Sequence, residues 1–452
     1  MATYELVVTG GFVVCESGGV RDIDIGVNGG RIAALAPSLS GESTIDAAGC
    51  YVLPGMVDAH VHFNEPNFGH WEGFRTGSAS LAAGGITTYI DMPLNGNPPT
   101  VTPAALAAKA SLAEGASAVD YAFWGGLVPG HLDEIEAMAS LGVVGFKAFM
   151  SSPGGEGDGR FREVDDATLF EGMRRIASIG GLLALHAESD SITSLLAADA
   201  LASGRTSARD FAASRPIAAE TEAVGRALVF AERAGCRLHF VHISSADAVR
   251  LIDAAKRRGQ DVTVETCPHY LTLTEDDMAS LGAVAKCAPP LRSDSERRQL
   301  WEQTAAGRID LIASDHSPCP PELKEGSFFS AWGGISGAQS SLELLFDEAV
   351  LRRGLPPTLV AELTAAGPAR RFGLSDRKGA IAVGLDADLA VLDPNRAYTL
   401  QASDLRYRHR HSPYLGRTLG CKIRETLLRG ESVYQEETGN VVPGGGRFLR
   451  KS

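Results

Sequence analysis

The chain lacks several things that would have settled its class at once. No uninterrupted apolar run reaches membrane-spanning length, and Met1-Ala2-Thr3-Tyr4-Glu5 has no basic stretch leading into an apolar one, so neither a bilayer span nor a secretory leader is expected. There is no Lys/Arg block either. With 42 basic against 55 acidic residues the net charge is −13, which argues against nucleic acid or an anionic membrane as partner. Cysteine is sparse: Cys15, Cys50, Cys236, Cys267, Cys287, Cys319 and Cys421 are scattered, odd in number and contain no CxxC pair. That pattern excludes a disulfide framework and fits reduced thiols in the cytoplasm, the expected location.

What is present is 452 residues at 44% hydrophobic content, enough for one large domain and a smaller one. Residues 1–53 read as short β-rich runs broken by glycine, such as Leu6-Val7-Val8 and Ile23-Asp24-Ile25-Gly26-Val27. Similar runs return after 379, in Gly379–Gly384, Ala390-Val391-Leu392 and Glu425–Tyr434. Short strands need partners and a covered face, so 1–53 and 380–452 are expected to form one composite β-sandwich, ending in a flexible tail at Val442–Gly446.

Between 54 and 379 apolar strands alternate with amphipathic helices. Strands are expected at Tyr51–Phe63, Ile86–Met92, Ala118–Leu127, Val143–Met150, Gly181–Ala187, Arg237–Ile243, Asp261–Thr266 and Asp310–Ser314. Helices are expected at Pro103–Glu114, Asp165–Ile179, Ala219–Ala234, Ala246–Arg258 and Ser295–Ala306. Eight such units imply an α/β fold of the TIM-like (β/α)8 barrel type, whose functional residues lie at the C-terminal strand ends.

Those ends carry chemistry. In Val57-Asp58-Ala59-His60-Val61-His62 the two histidines share one face of a strand, because side chains alternate, and can grip one borderline divalent cation. Strand five ends in His186, strand six in His242 and strand eight in Asp315, while Lys147 lies among apolar residues of strand four. Each alone has a structural alternative: a cap for the aspartate, a hydrogen-bonded core site for a histidine, snorkelling for the lysine. Five strand ends supplying metal-type side chains together favour a metal site. A buried, uncharged Lys147 amine could add CO2, and the resulting carbamate has two oxygens able to bridge two ions.

The chain resembles the cyclic amidohydrolases of the binuclear metal-dependent superfamily, and among them is most similar to the bacterial allantoinases. The likeness rests on Asp58-Ala59-His60-Val61-His62-Phe63-Asn64-Glu65-Pro66, His70-Trp71-Glu72-Gly73, Gly84–Thr88, Met92-Pro93-Leu94-Asn95, Gly145-Phe146-Lys147, Cys267-Pro268-His269-Tyr270, Ser314-Asp315-His316-Ser317-Pro318 and Ala331-Trp332-Gly333-Gly334. The resemblance implies one metal on His60, His62 and Asp315, a second on His186 and His242, and carboxylated Lys147 (N6-carboxylysine) bridging both. Zinc is the foremost candidate, with cobalt, manganese, iron or nickel as alternatives. It also implies hydrolysis of a small neutral cyclic ureide such as allantoin, and a homo-oligomer, namely a homotetramer.

The metal cage alone does not choose the substrate. Dihydroorotases resemble His-x-His-x-Arg, where this chain has Asn64. Hydantoinases and dihydropyrimidinases place a tyrosine five residues after the bridging lysine, where this chain has Ser152. Asn64, Asn95 and Ser317 are expected to contact substrate, Trp332-Gly333-Gly334 to belong to a lid, and Asp315 to shuttle the proton with His316 as next candidate. His239 and His269 are expected to be structural. A non-catalytic scaffold of the same fold would lack ligands, and all six are present.

Overall fold

A computed structural model describes residues 3–15, 19–154 and 159–451 of the chain and has a mixed α/β fold. Its centre is a set of parallel strands taken in sequence order: β1 (Met56–Val61), β2 (Ile86–Asp91), β3 (Asp120–Phe123, resumed at Gly125–Gly126), β4 (Phe146–Phe149), β5 (Leu182–His186), β6 (Arg237–Phe240), β7 (Val262–Thr266) and β8 (Leu311–Ile312). The strands are buried on both faces almost throughout, as parallel strands covered by crossover helices must be, which is why they read as near-continuous apolar runs.

The β1–β2 pairing shifts register between Met56 and Val57 and between Asp58 and Val61, and two further places depart from a regular ladder. β3 breaks at Trp124, whose backbone N–H donates to Asp91 O at 3.1 Å and whose indole Nε1 donates to Ala59 O at 3.0 Å. Between the last strand and the first, Val61 bridges His316 in parallel and His62 N donates to His316 O at 2.8 Å. Asp58 Oδ1 accepts from Ser314 N at 3.0 Å across the same seam. The side chains that end β1 and follow β8 are therefore neighbours.

The helices begin where capping chemistry allows. Asp165 accepts from Thr168 N at 2.7 Å and starts the helix Asp166–Ser178; Ser245 caps Ala246–Arg257. The second helix buries Val249, Ile252 and Ala255 at helical spacing, the larger two contributing roughly 1.5–3 kcal/mol each. The other expected helices are also found, at Pro103–Ala113, Ile217–Ala234 and Asp294–Ala305.

Both chain ends share one sheet. Its order is Glu431–Gln435, Lys422–Leu428, Leu389–Asp393, Tyr51–Pro54, Phe12–Cys15, Gly19–Asp22. A four-stranded sheet, Arg31–Ala36, Asp24–Asn28, Thr3–Thr9, Ser40–Asp46, shares with it a core that includes Ile25, Val52, Leu389 and Leu427.

Three expectations need correction. The run Tyr51–Phe63 is two strands, because at Gly55 a Cβ would lie 2.3 Å from Thr87 Oγ1; only a glycine lets the chain pass there from the terminal sheet into β1. Gly379–Gly384 forms no strand, its end glycines having φ of 94° and 97°, a left-handed backbone that breaks extended structure. The tail does not hang free. Tyr121 N donates to Arg447 O at 3.0 Å, Leu449 N to Tyr121 O at 2.7 Å, and Phe448 stacks on Tyr121 with centroids 5.8 Å apart. Gly446 is needed for that docking, since a Cβ there would lie 2.0 Å from Val119 O.

Candidate metal centre

A cavity of about 440 Å³ opens at the C-terminal ends of the parallel strands, lined by His60, His62, His186, His242 and Asp315 among others. One half is built by the seam. Asp315 Oδ1 lies 3.2 Å from His60 Nε2 and 3.4 Å from His62 Nε2, and the three groups stand within the mutual reach of a single ion. In the other half His186 Nδ1 faces His242 Nε2 at 3.0 Å. The His60 and His242 rings, 5.4 Å apart, join the halves.

The side chains behind the ligands decide which nitrogen faces the cavity. Glu265 Oε1 lies 2.9 Å from His60 Nδ1 and accepts from His242 N at 3.2 Å. Its Oε2 lies 3.2 Å from His239 Nε2. Glu188 Oε2 lies 2.9 Å from His186 Nε2 and is paired with Arg215 Nη1. A histidine whose outer N–H is held by a carboxylate presents its other nitrogen as a lone pair, which is how metal-ligating imidazoles are oriented.

Electrostatics favour the ligating forms. Burial pulls His62, His186 and His242 below the ordinary histidine range, His242 furthest, so these imidazoles are neutral near pH 7. Burial alone would raise Asp315, but His60, His62 and His242 draw it far below the usual carboxylate range. Glu188 and Glu265 are likewise pushed up by burial and brought down to about 2, Glu188 chiefly by Arg215 and Glu265 chiefly by His60.

Lys147 is fully buried, its Nζ has no hydrogen-bond partner and lies 4.9 Å from the Phe149 ring centroid. Burial lowers it to about 7, partly offset by Glu265 and Asp315. An unpartnered buried amine, two facing imidazole nitrogens and an ionised carboxylate between two imidazoles form a donor set that fits borderline divalent cations.

The expected substrate contacts divide. Asn95 and Ser317 line the cavity, and Asn95 Nδ2 is 3.5 Å from His62 Nδ1. Asn64 does not line it: at φ 64° its side chain turns to donate to Pro318 O at 3.2 Å. His316 is also turned away, with Nδ1 accepting from Gly337 N at 3.2 Å and the ring 4.8 Å from Tyr407. The backbone is left-handed at His242 (φ 39°) and Asp315 (φ 47°) as well, strain of the kind that collects where side chains are held for function.

Trp332, Gly333 and Gly334 form part of the cavity wall. Lys324 Nζ donates to Trp332 O at 3.0 Å and Gly334 O at 2.6 Å, and Lys286 Nζ donates to Phe329 O at 3.3 Å. Glu188, Glu265, Arg215 and Lys286 are the groups that sequence reading passed over. Two of them had a signal: an acid inside or just after an apolar strand, in Val264-Glu265-Thr266 and His186-Ala187-Glu188. His239, expected to be structural, lies between Glu265 Oε2 at 3.2 Å and Thr263 Oγ1 at 2.8 Å.

Residues 51–433 match the model of the family described as the amidohydrolase family. Along the whole chain the sequence is 50% identical to an allantoinase of Rubrobacter xylanophilus, covering 98% of that protein, and 44% identical over 99% of both chains to an allantoinase of Escherichia coli. The fold is similar to that of an L-hydantoinase (dihydropyrimidinase) from Arthrobacter aurescens, with a TM-score of 0.95 and 37% identity over 99% of this chain and 100% of the other. A D-hydantoinase structure superposes with a TM-score of 0.91 at 29% identity, over 99% of both chains.

Proposed function

The chain belongs to the amidohydrolase family, and from that premise we propose that it hydrolyses the hydantoin ring of allantoin to allantoate, cleaving one ring amide C–N bond. The carrying observation is full-length similarity to allantoinases at 44–50% identity together with ligand-type side chains gathered on one cavity. We read the parallel strands as a (β/α)8 barrel over 54–379, with 1–53 and 380–452 as one β-sandwich. The protein is expected to work in the cytoplasm as a homotetramer.

His60, His62 and Asp315 would hold one divalent ion, His186 and His242 a second, and Lys147 as its carbamate would serve both, zinc being the first choice. Bound there, such ions supply Lewis acidity, lowering the pKa of water and polarising the scissile carbonyl. The rest falls to the chain. Asp315 has one oxygen between two imidazoles, so its other oxygen can take the proton lost by the attacking water and return it to the departing ring nitrogen. Without that proton the nitrogen is a poor leaving group; general acid–base help of this kind is worth about 10² to 10⁴ in rate. Asn95 and Ser317, both on the cavity wall, would meet the polar edge of a cyclic ureide, and Glu188 and Glu265 would keep the imidazoles turned inward.

A second reading, hydrolysis of simple hydantoins or dihydropyrimidines, is favoured by the likeness to the two hydantoinase structures. Turnover of the metal-loaded protein on allantoin, hydantoin, dihydrouracil and dihydroorotate separates them: allantoin should have the highest kcat/KM, and a higher value for hydantoin would replace the assignment. Asp315→Asn should keep much of its metal and lose at least about 10² in kcat.

A further inference from the structure

Asp315 belongs to two clusters of metal-type donors. Besides His60 and His62, its carboxylate shares mutual reach with Cys267 and His269, the ligand atoms of this second trio all lying within 4.8 Å of one another. Cys267 ends the run after β7 and precedes the short helix Pro268–Thr272, which carries His269. Both are buried, at 0% and 1% exposure. His269 is unusual among the buried histidines described: neither Nδ1 nor Nε2 has a partner, although leaving a buried polar group unpaired costs about 1–3 kcal/mol. A ring held in that state offers a free lone pair.

We propose that Cys267, His269 and Asp315 form a further cation position, selective for a thiophilic d10 ion such as cadmium and inhibitory when filled. A thiolate beside an imidazole is a softer donor set than the imidazoles and carboxylate of the neighbouring site, and softness selects among such cations. Even at the bond lengths of the smaller zinc ion, about 2.3 Å to sulfur and about 2.0 Å to nitrogen, tetrahedral ligand atoms stand roughly 3.5 Å apart, and the longer bonds of cadmium widen that spacing towards the separations of up to 4.8 Å found here, so small side-chain adjustments close the trio on the ion. On binding, the Cys267 S–H bond breaks, the sulfur–metal bond forms and one proton leaves to solvent. Neither Cys267 nor His269 lines the cavity, whereas Asp315 does, so the ion enters past Asp315. Once there it shares the carboxylate on which the proposed proton transfer depends, which makes it an inhibitor.

The test reads the ion and does not depend on which ring is the substrate. Cd²⁺ is titrated into the metal-loaded full-length protein, following thiolate-to-cadmium charge-transfer absorbance, metal stoichiometry and proton release. The expected result is one Cd²⁺ per subunit beyond the resident ions, a thiolate band and one proton released. Cys267→Ser should abolish the band and weaken binding at least about tenfold. His269→Gln should keep the band and lose affinity, and Cys287→Ser, altering another cavity-side thiol, should change neither. If Cys267→Ser fails to fold, His269→Gln with an unchanged thermal midpoint carries the test. Exchange of Cd²⁺ for the resident ions without a thiolate band, a band that survives Cys267→Ser, or unaltered affinity in folded His269→Gln would each overturn the proposal.

Discussion

Glu188 Oε2 lies 2.9 Å from His186 Nε2 and is also the oxygen that meets Arg215, so one buried atom sets the tautomer of a candidate ligand and compensates a cation on the cavity wall. Its other oxygen has no partner. Glu188→Gln would put an amide NH2 at one of those places, and removes the charge facing Arg215 in either orientation. Metal affinity should fall by about 10- to 100-fold, the usual effect of removing a group behind a ligand, with the circular dichroism spectrum unchanged. Competition with a chromophoric chelator measures it, and unchanged affinity would remove Glu188 from the site.

The six proposed ligands were legible in the sequence because each sits in or just after a parallel strand, and strands of that kind announce themselves as apolar runs of limited length. What stands behind them was not legible. Glu265 reaches His60 on β1 and His239 on β6 from β7, a relation set by strand neighbourhood around the centre and by no local spacing. Asn64 misled for a similar reason: it lies two residues beyond His62, yet a left-handed backbone turns it to Pro318. The tail misled through composition, since Val442–Gly446 has a linker's residues but its last glycine is small because Val119 O leaves no room.

Lys378 is a buried cation joining the terminal sheet to β3. Its Nζ lies 2.6 Å from Asp120, 2.6 Å from Asp388 and 3.0 Å from Asp386, and its side chain is 1% exposed. Burial would lower it, yet Asp388, Asp120 and Asp386 together raise it. Lys378→Met leaves buried carboxylates with only Arg429 and Arg377 to answer them. Breaking a buried pair in this way costs about 3–5 kcal/mol. Denaturant unfolding should register that loss while metal content per folded subunit stays constant.

Glu343 carries a pH dependence that can be isolated. Buried beneath Tyr398, whose hydroxyl donates to Oε2 at 2.5 Å, and accepting from Ile423 N at 2.7 Å, it is raised by burial from 4.5 to about 7. The folded state therefore binds this proton more tightly than the unfolded one. The associated stability is fully present below about pH 4.5 and is lost as pH rises through about 7; at 1.36 kcal/mol per pH unit it amounts to roughly 3 kcal/mol. Glu343→Gln keeps the size and an acceptor without the charge. Its thermal midpoint relative to the parent should rise between about pH 4.5 and about pH 7 and level off above that, and a difference independent of pH would show that Glu343 ionises normally.

Lys147 offers the sharpest separation between a lysine that is merely buried and one that is modified. At about 7 a large share of its amine is uncharged at neutral pH. The nitrogen lone pair can then add to the carbon of CO2, losing one N–H proton and leaving a carbamate whose single negative charge is shared by two oxygens amid the ligands. Protein loaded with metal in ¹³C-labelled bicarbonate should give a carbamate carbon resonance that acid removes and that Lys147→Ala lacks. That variant should be nearly inactive, because it lacks the carbamate oxygens. A short carboxylic acid able to enter the vacated space should restore part of its activity, whereas Lys147→Arg, filled by a group that cannot form a carbamate, should not respond. Active, metal-loaded protein without the labelled carbon would mean that Lys147 serves the site as a plain amine.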